Sequence, residues 1–158
     1  MINAIIIDDE AKGRIALREK LSSYCPEVNV MAEAANGQEA LLLIQHHKPQ
    51  LIFLDIEMPR MTGFEMLNEL AEKNFHIIFT TAYDQYAIKA IKYAAFDYLL
   101  KPIDIEELKN AVSKLSTEKN TDTVKQVELS ASKYTTSKKA ISQTGYPLFR
   151  WIDVLRNK

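Results

Sequence analysis

The chain has 158 residues, enough for one domain with a full core and too few for two of ordinary size. Hydrophobic residues make up 47% and charged residues 26%, which excludes collagen-like, disordered and disulfide-scaffold classes, and a single cysteine, Cys25, excludes an internal disulfide. The net charge of −1 hides an asymmetry: residues 1–118 carry 12 Lys and Arg against 18 Asp and Glu, and residues 119–158 carry 8 against 3. An acidic domain joined to a basic nucleic-acid-binding part has this profile, and so does one with a merely solvated tail. With no charged-then-apolar leader and no apolar run near ~18 residues, the sequence predicts a cytoplasmic chain with no membrane partner.

Apolar runs and helical patterns alternate from the start. Ala4 to Ile7, Val28 to Ala32, Leu51 to Leu54, Ile77 to Thr80 and Tyr98 to Leu100 are short and mostly apolar, as buried parallel strands are. Between and after them, apolar residues recur at helical spacing: Ile15, Leu17 and Leu21; Ala40, Leu41 and Ile44; Phe64, Met66, Leu67 and Leu70; Tyr86, Ala87, Ala90 and Ile91; Ile105, Leu108, Val112 and Leu115. Asn36-Gly37, Lys48-Pro49, Thr62-Gly63 and Lys101-Pro102 punctuate the units. Repeated βα units predict an α/β fold, a five-stranded parallel sheet with helices on both faces. After Lys119 the composition turns to Ser, Thr and Lys, which reads as a linker. A last apolar cluster, Tyr146, Leu148, Phe149, Trp151, Ile152, Val154 and Leu155, sits in a segment too short to build its own core. The expected division is a domain over 1–118, a linker over 119–139 and a C-terminal extension over 140–158.

In an open parallel sheet, ligands bind where the strands end. Strand one ends in Asp8-Asp9-Glu10, strand three in Asp55, strand four in Thr80-Thr81-Ala82, and strand five runs into Lys101-Pro102. Carboxylates gathered at one edge repel each other unless a cation sits among them, and an all-oxygen set suits a hard ion such as Mg²⁺ or Mn²⁺. Such an ion leaves one carboxylate able to act as nucleophile toward a phosphoryl donor, with Lys101 neutralising charge and Thr81 donating a hydrogen bond. Each residue alone has a plain reading: Asp8, Asp9 and Glu10 as N-cap and first-turn carboxylates of a helix, Asp55 as a turn residue, Thr81 as a strand end, Lys101 as a surface lysine and Tyr98 as a core aromatic. Their joint occurrence at successive strand ends favours the site.

Ile6-Ile7-Asp8-Asp9-Glu10, Leu54-Asp55 through Thr62-Gly63, Thr80-Thr81-Ala82 and Asp97-Tyr98-Leu99-Leu100-Lys101-Pro102 resemble the four signature blocks of response-regulator receiver domains of two-component systems. The resemblance covers residues 1 to about 118. It implies strand order 2-1-3-4-5, Asp55 as phosphoacceptor, and Mg²⁺ or Mn²⁺ held by Asp8, Asp9, Asp55 and the backbone carbonyl of Glu57. It further implies Thr81 and Lys101 as phosphate-binding residues, Thr81 and Tyr98 as the switch pair, a cis Lys101-Pro102 bond, and a sensor histidine kinase as partner. Thr80 through Ala87 and Phe96-Asp97-Tyr98 resemble the subgroup with LytTR-type DNA-binding output domains, and residues 139 to 155 resemble the opening strands of such a domain. DNA would then be bound only through a complete output domain, and the exposed apolar tail favours a homodimer.

The rival reading is an Mg²⁺-dependent phosphatase with an Asp nucleophile. That chemistry needs a second Asp two residues on as general acid, where this chain has Glu57. An FMN carrier needs a Ser/Thr/Gly-rich first turn, where this chain has Asp8-Asp9-Glu10. A dead interaction module would be expected to lack Asp55 or Lys101. His46 and His47 belong at a helix end, His76 before a strand, and Cys25 in a loop.

Overall fold

The computed structural model describes residues 1–118. Five strands and five helices alternate: β1 Ile2–Ile7, α1 Ala11–Tyr24, β2 Val28–Ala34, α2 Gly37–His47, β3 Leu51–Leu54, α3 Gly63–Asn68, β4 His76–Thr81, α4 Ala87–Lys92, β5 Asp97–Leu100 and α5 Ile105–Glu118. All neighbouring strands pair in parallel, in the order β2-β1-β3-β4-β5. The expected five βα units are all present. The expected linker, 119–139, and extension, 140–158, lie outside the described residues.

Side-chain alternation along each strand splits the core into two layers. Ile5, Ile7, Ile52, Leu54, Ile77, Phe79 and Tyr98 face α2, α3 and α4. Ile6, Leu51, Phe53, Ile78 and Leu99 face α1 and α5, through Leu17, Leu21, Leu108 and Val112. Both faces of the sheet are therefore covered, which explains near-continuous apolar strands in place of an alternating pattern. Each fully buried large side chain contributes roughly 1.5–3 kcal/mol.

The punctuation works as helix ends. Asn36 caps α2 by accepting from the Glu39 N–H at 2.9 Å, and Thr62 with Glu65 forms a capping box at the start of α3. Lys48 closes α2 in the left-handed region, φ 46°, directly before Pro49.

Several helical expectations are corrected. Ile15 is 54% exposed on α1, and Ile91 is also accessible, because each sits off the stripe that its helix turns to the sheet. Leu70 lies past the end of α3, which closes at Asn68. Cys25 lies in the loop after α1 as expected, where its N–H caps the helix by donating to the Leu21 carbonyl and its side chain is buried. Among the described residues no helix is long and apolar enough to cross a membrane.

Candidate functional site

The strand order reverses between β1 and β3, so the crevice that opens at their carboxyl ends is bounded by the residues following Ile7 and Leu54. Asp8, Asp9 and Asp55 stand there, with ligand oxygens within 4.8 Å of one another. Asp8 and Asp55 are buried, while Asp9 is accessible to solvent. The donor set is all oxygen, which fits a hard divalent ion and not a soft one.

Lys101 reaches into the cluster from the end of β5. Its Nζ lies 2.8 Å from Asp8 Oδ2 and 2.9 Å from Asp55 Oδ2, so it is no solvated surface lysine. Burial works against the Lys101 ammonium, but hydrogen bonds and charge from Asp8 and Asp55 outweigh it and hold the amine above its ordinary value. For Asp55 the balance falls the other way: burial pushes its carboxyl up, aided by repulsion from Asp8, and Lys101 offsets only part of that. One lysine shared between two carboxylates leaves Asp55 short of compensating charge. The Lys101–Pro102 peptide bond is cis, as the resemblance implied.

Asp8 is held at each of its polar groups. Its N–H donates to the Ala34 carbonyl at 3.1 Å, Oδ1 accepts from the Glu10 N–H at 2.8 Å, and its own carbonyl accepts from Arg14 Nη1 at 2.7 Å. Of this acidic run only Glu10 takes the helix-end position that the plain reading gives it, and none of the three lies in the first turn. Glu10 occupies the N-cap of α1 without a side-chain cap bond, and the first turn holds no acidic residue. Asp55 Oδ1 accepts from the Glu57 N–H at 3.3 Å.

Thr81 and Tyr98 are both buried, on adjacent strands. Thr81 Oγ1 accepts from the Tyr83 N–H at 3.4 Å, and the Tyr98 hydroxyl donates to the Tyr83 carbonyl. Tyr83 therefore joins the two, a backbone role that no side-chain pattern announces. Tyr98 is only 3% exposed, and burial raises its phenol far above the ordinary value, with the charges of Asp84 and Asp55 adding to the effect. In this conformation the ring lies inside, held by the Tyr83 carbonyl. A second unforeseen contact runs from the Tyr86 hydroxyl to the Glu57 carboxylate, tying the start of α4 to the loop after β3. His46 and His47 meet edge to face at the end of α2 and are not among the carboxylates that cluster at the site.

The fold and this acidic strand edge define a class, the doubly wound α/β receivers. The family described as "Response regulator receiver domain" matches residues 4–113, and the chain belongs to it. It is thus a receiver domain of the response regulators of two-component signalling; the phosphatase alternative has no support among these relatives. An uncharacterized response regulatory protein of Yersinia pestis is 44% identical over 117 residues, covering 73% of this chain and 49% of that protein. Transcriptional regulatory protein BtsR of Escherichia coli K12 is 40% identical over 121 residues, covering 76% and 50%. The chain therefore spans about half the length of these curated relatives.

Among solved structures, the receiver domain of AraT, a response regulator from Geobacillus stearothermophilus, has 36% identity and TM-score 0.67, covering 75% of this chain and 95% of that one. The CheX–CheY–BeF₃–Mg²⁺ complex from Borrelia burgdorferi has 26% identity and TM-score 0.66, covering 72% and 88%.

Proposed function

We propose that Asp55 accepts a phosphoryl group from a sensor histidine kinase or a small acyl phosphate. Mg²⁺ or Mn²⁺ would be held by the carboxylates of Asp8, Asp9 and Asp55 and by the backbone carbonyl of Glu57. The observation that carries this reading is the close approach of three carboxylates with Lys101 as counter-charge. When bound, the divalent ion supplies charge stabilisation for the transferred group. An Asp55 oxygen attacks phosphorus as the bond to the donor oxygen or nitrogen breaks, and the leaving group keeps that electron pair. Lys101 exchanges its bond to Asp55 for one to a phosphoryl oxygen, and the Thr81 hydroxyl donates to another.

In turning to the phosphoryl group, Thr81 gives up the Tyr83 N–H. Tyr83 also holds Tyr98, so the pair Thr81 and Tyr98 passes the change to the face of α4, β5 and α5. Such a change is a shift between existing states, limited by their difference in interaction energy. Beyond the domain, we read 119–139 as a linker and 140–158 as the opening of a LytTR-type output domain. DNA would then be bound by the complete output domain, and the receiver would regulate transcription as a homodimer. The regulatory name of BtsR supports the transcriptional part.

Incubation with acetyl phosphate and Mg²⁺, followed by intact-mass spectrometry, should add one phosphoryl group. Chelation or Asp55→Asn should abolish it. Equal phosphorylation of the Asn variant at unchanged yield would sink the assignment.

A further inference from the structure

The start of α1 carries two cations, Lys12 and Arg14, where a helix least favours them. Helix N-termini present partial positive charge, so Asp and Glu are stabilising there and Arg is not. Yet α1 has no acidic residue in its first turn, and Arg14 stands near its start. Neither the phosphoryl transfer nor the switch described above uses this side chain.

Its contacts supply a reason. The Asp8 N–H makes the last ladder bond to β2, through the Ala34 carbonyl, but the Asp8 carbonyl points past the end of the strand pairing. Arg14 Nη1 takes that carbonyl at 2.7 Å, while its Nε lies 3.3 Å from Glu33 Oε2. The guanidinium is thus held between the end of β2 and the peptide linking Asp8 to Asp9. Arg14 and Glu33 are both largely covered, at 17% side-chain exposure each. Arg18 also pairs with Glu33, but is 57% exposed and makes no recorded bond to the Asp8 carbonyl. Fixing one peptide plane fixes the Cα directions on both sides of it, and those are the two carboxylates contributed by β1.

We propose that Arg14 is the positioning residue of the acidic pocket, orienting the Asp8–Asp9 peptide so that both carboxylates converge on a divalent cation. This rests on the metal reading above. Outer-shell partners that orient ligands typically govern ~10–100-fold in metal affinity. The opposite sign follows if Arg14 is only a nearby charge, because deleting a cation beside an acidic pocket strengthens cation binding. The fork geometry also separates Arg from Lys, since a single ammonium cannot reproduce both bonds in one plane.

The test is a Mn²⁺ titration of the full chain, counting free ion by electron paramagnetic resonance well below each variant's melting transition. Arg14→Met should bind about tenfold more weakly, and Arg14→Lys should fall between it and wild type. Arg18→Met, which removes the same charge from Glu33 without touching Asp8, should stay within about twofold of wild type. Should Arg14→Met fail to fold, Arg14→Lys and Glu33→Gln carry the comparison, both expected weaker than Arg18→Met. Arg14 variants that bind as tightly as wild type, or more tightly, overturn the positioning role while leaving the metal site standing. Wild-type protein that binds no Mn²⁺ at millimolar concentration overturns both.

Discussion

Gly63 offers a direct test of how tightly the core behind the acceptor is built. It opens α3 and packs under the end of β3, with its N–H donating to the Ile56 carbonyl at 2.8 Å. A methyl group there would meet three atoms at once. It would come closer than 3.0 Å to the Asp55 carbonyl oxygen, within 3.1 Å of Leu54 Cγ and within 3.3 Å of the Asp55 carbonyl carbon. Two of these belong to backbone that cannot rotate away, so the end of β3 must shift. Overpacking of this kind costs about 1–3 kcal/mol. Alanine's better helix propensity returns up to about 1 kcal/mol. With two backbone atoms in contact the cost lies toward the upper end of that range, leaving a net loss of about 1–2 kcal/mol, which for a domain of this size lowers the melting temperature of Gly63→Ala by roughly 3–10 °C. Because the displaced peptide belongs to Asp55, the yield of phosphoprotein from acetyl phosphate should fall as well, measured at a temperature where the variant is folded. Thermal denaturation by circular dichroism and intact-mass spectrometry read the two effects. A variant melting at or above the wild-type temperature would refute the close approach and, with it, the account of why glycine stands behind the acceptor.

Burial holds the Asp55 carboxyl above the ordinary range, so the folded state binds its proton more tightly than the unfolded chain does. That contribution is present below the unfolded carboxylate value and is lost as pH rises through the folded one. Asp55→Asn, which removes the cost of burying the charge, should therefore melt higher than wild type at neutral pH in EDTA, and the gap should close in mild acid. A variant that is less stable at neutral pH would contradict this sign. Tyr98→Phe keeps the ring but strips the Tyr83 carbonyl of a donor; a loss of about 1 kcal/mol is expected, seen in urea denaturation, with acetyl phosphate labelling still present. The Cys25 thiol is buried and pushed up to about 11, first by burial and then by Glu27. It should resist a thiol reagent at neutral pH in the native protein and react promptly in denaturant, and rapid native labelling would show that the α1 end opens.

Strands were legible because both faces of this sheet are covered, so each run of apolar residues stands out against polar helix surfaces. Where a strand's end is polar, the sequence stopped short: β1 begins at Ile2 and β2 continues through Glu33 to Ala34, residues joined by ladder bonds and not by an apolar pattern. The edge position of Asp8, Asp9, Asp55, Thr81 and Lys101 also followed from sequence, since strand ends in a parallel sheet share one edge.

What lay beyond reach was anything set by backbone groups or by distance through space. Tyr83 links Thr81 to Tyr98 through its peptide N–H and carbonyl, atoms that every residue carries alike. Arg14 grips a carbonyl six residues back and a carboxylate on another strand. The sharing of Lys101 between Asp8 and Asp55, and the burial that raises the Asp55 carboxyl, depend on the assembled sheet, where the long Lys101 side chain reaches from the end of β5 past β4 to the ends of β1 and β3. Residue types and spacing carry the succession of strands and helices along the chain, but the balance of burial against charge at the strand ends exists only once the sheet is assembled.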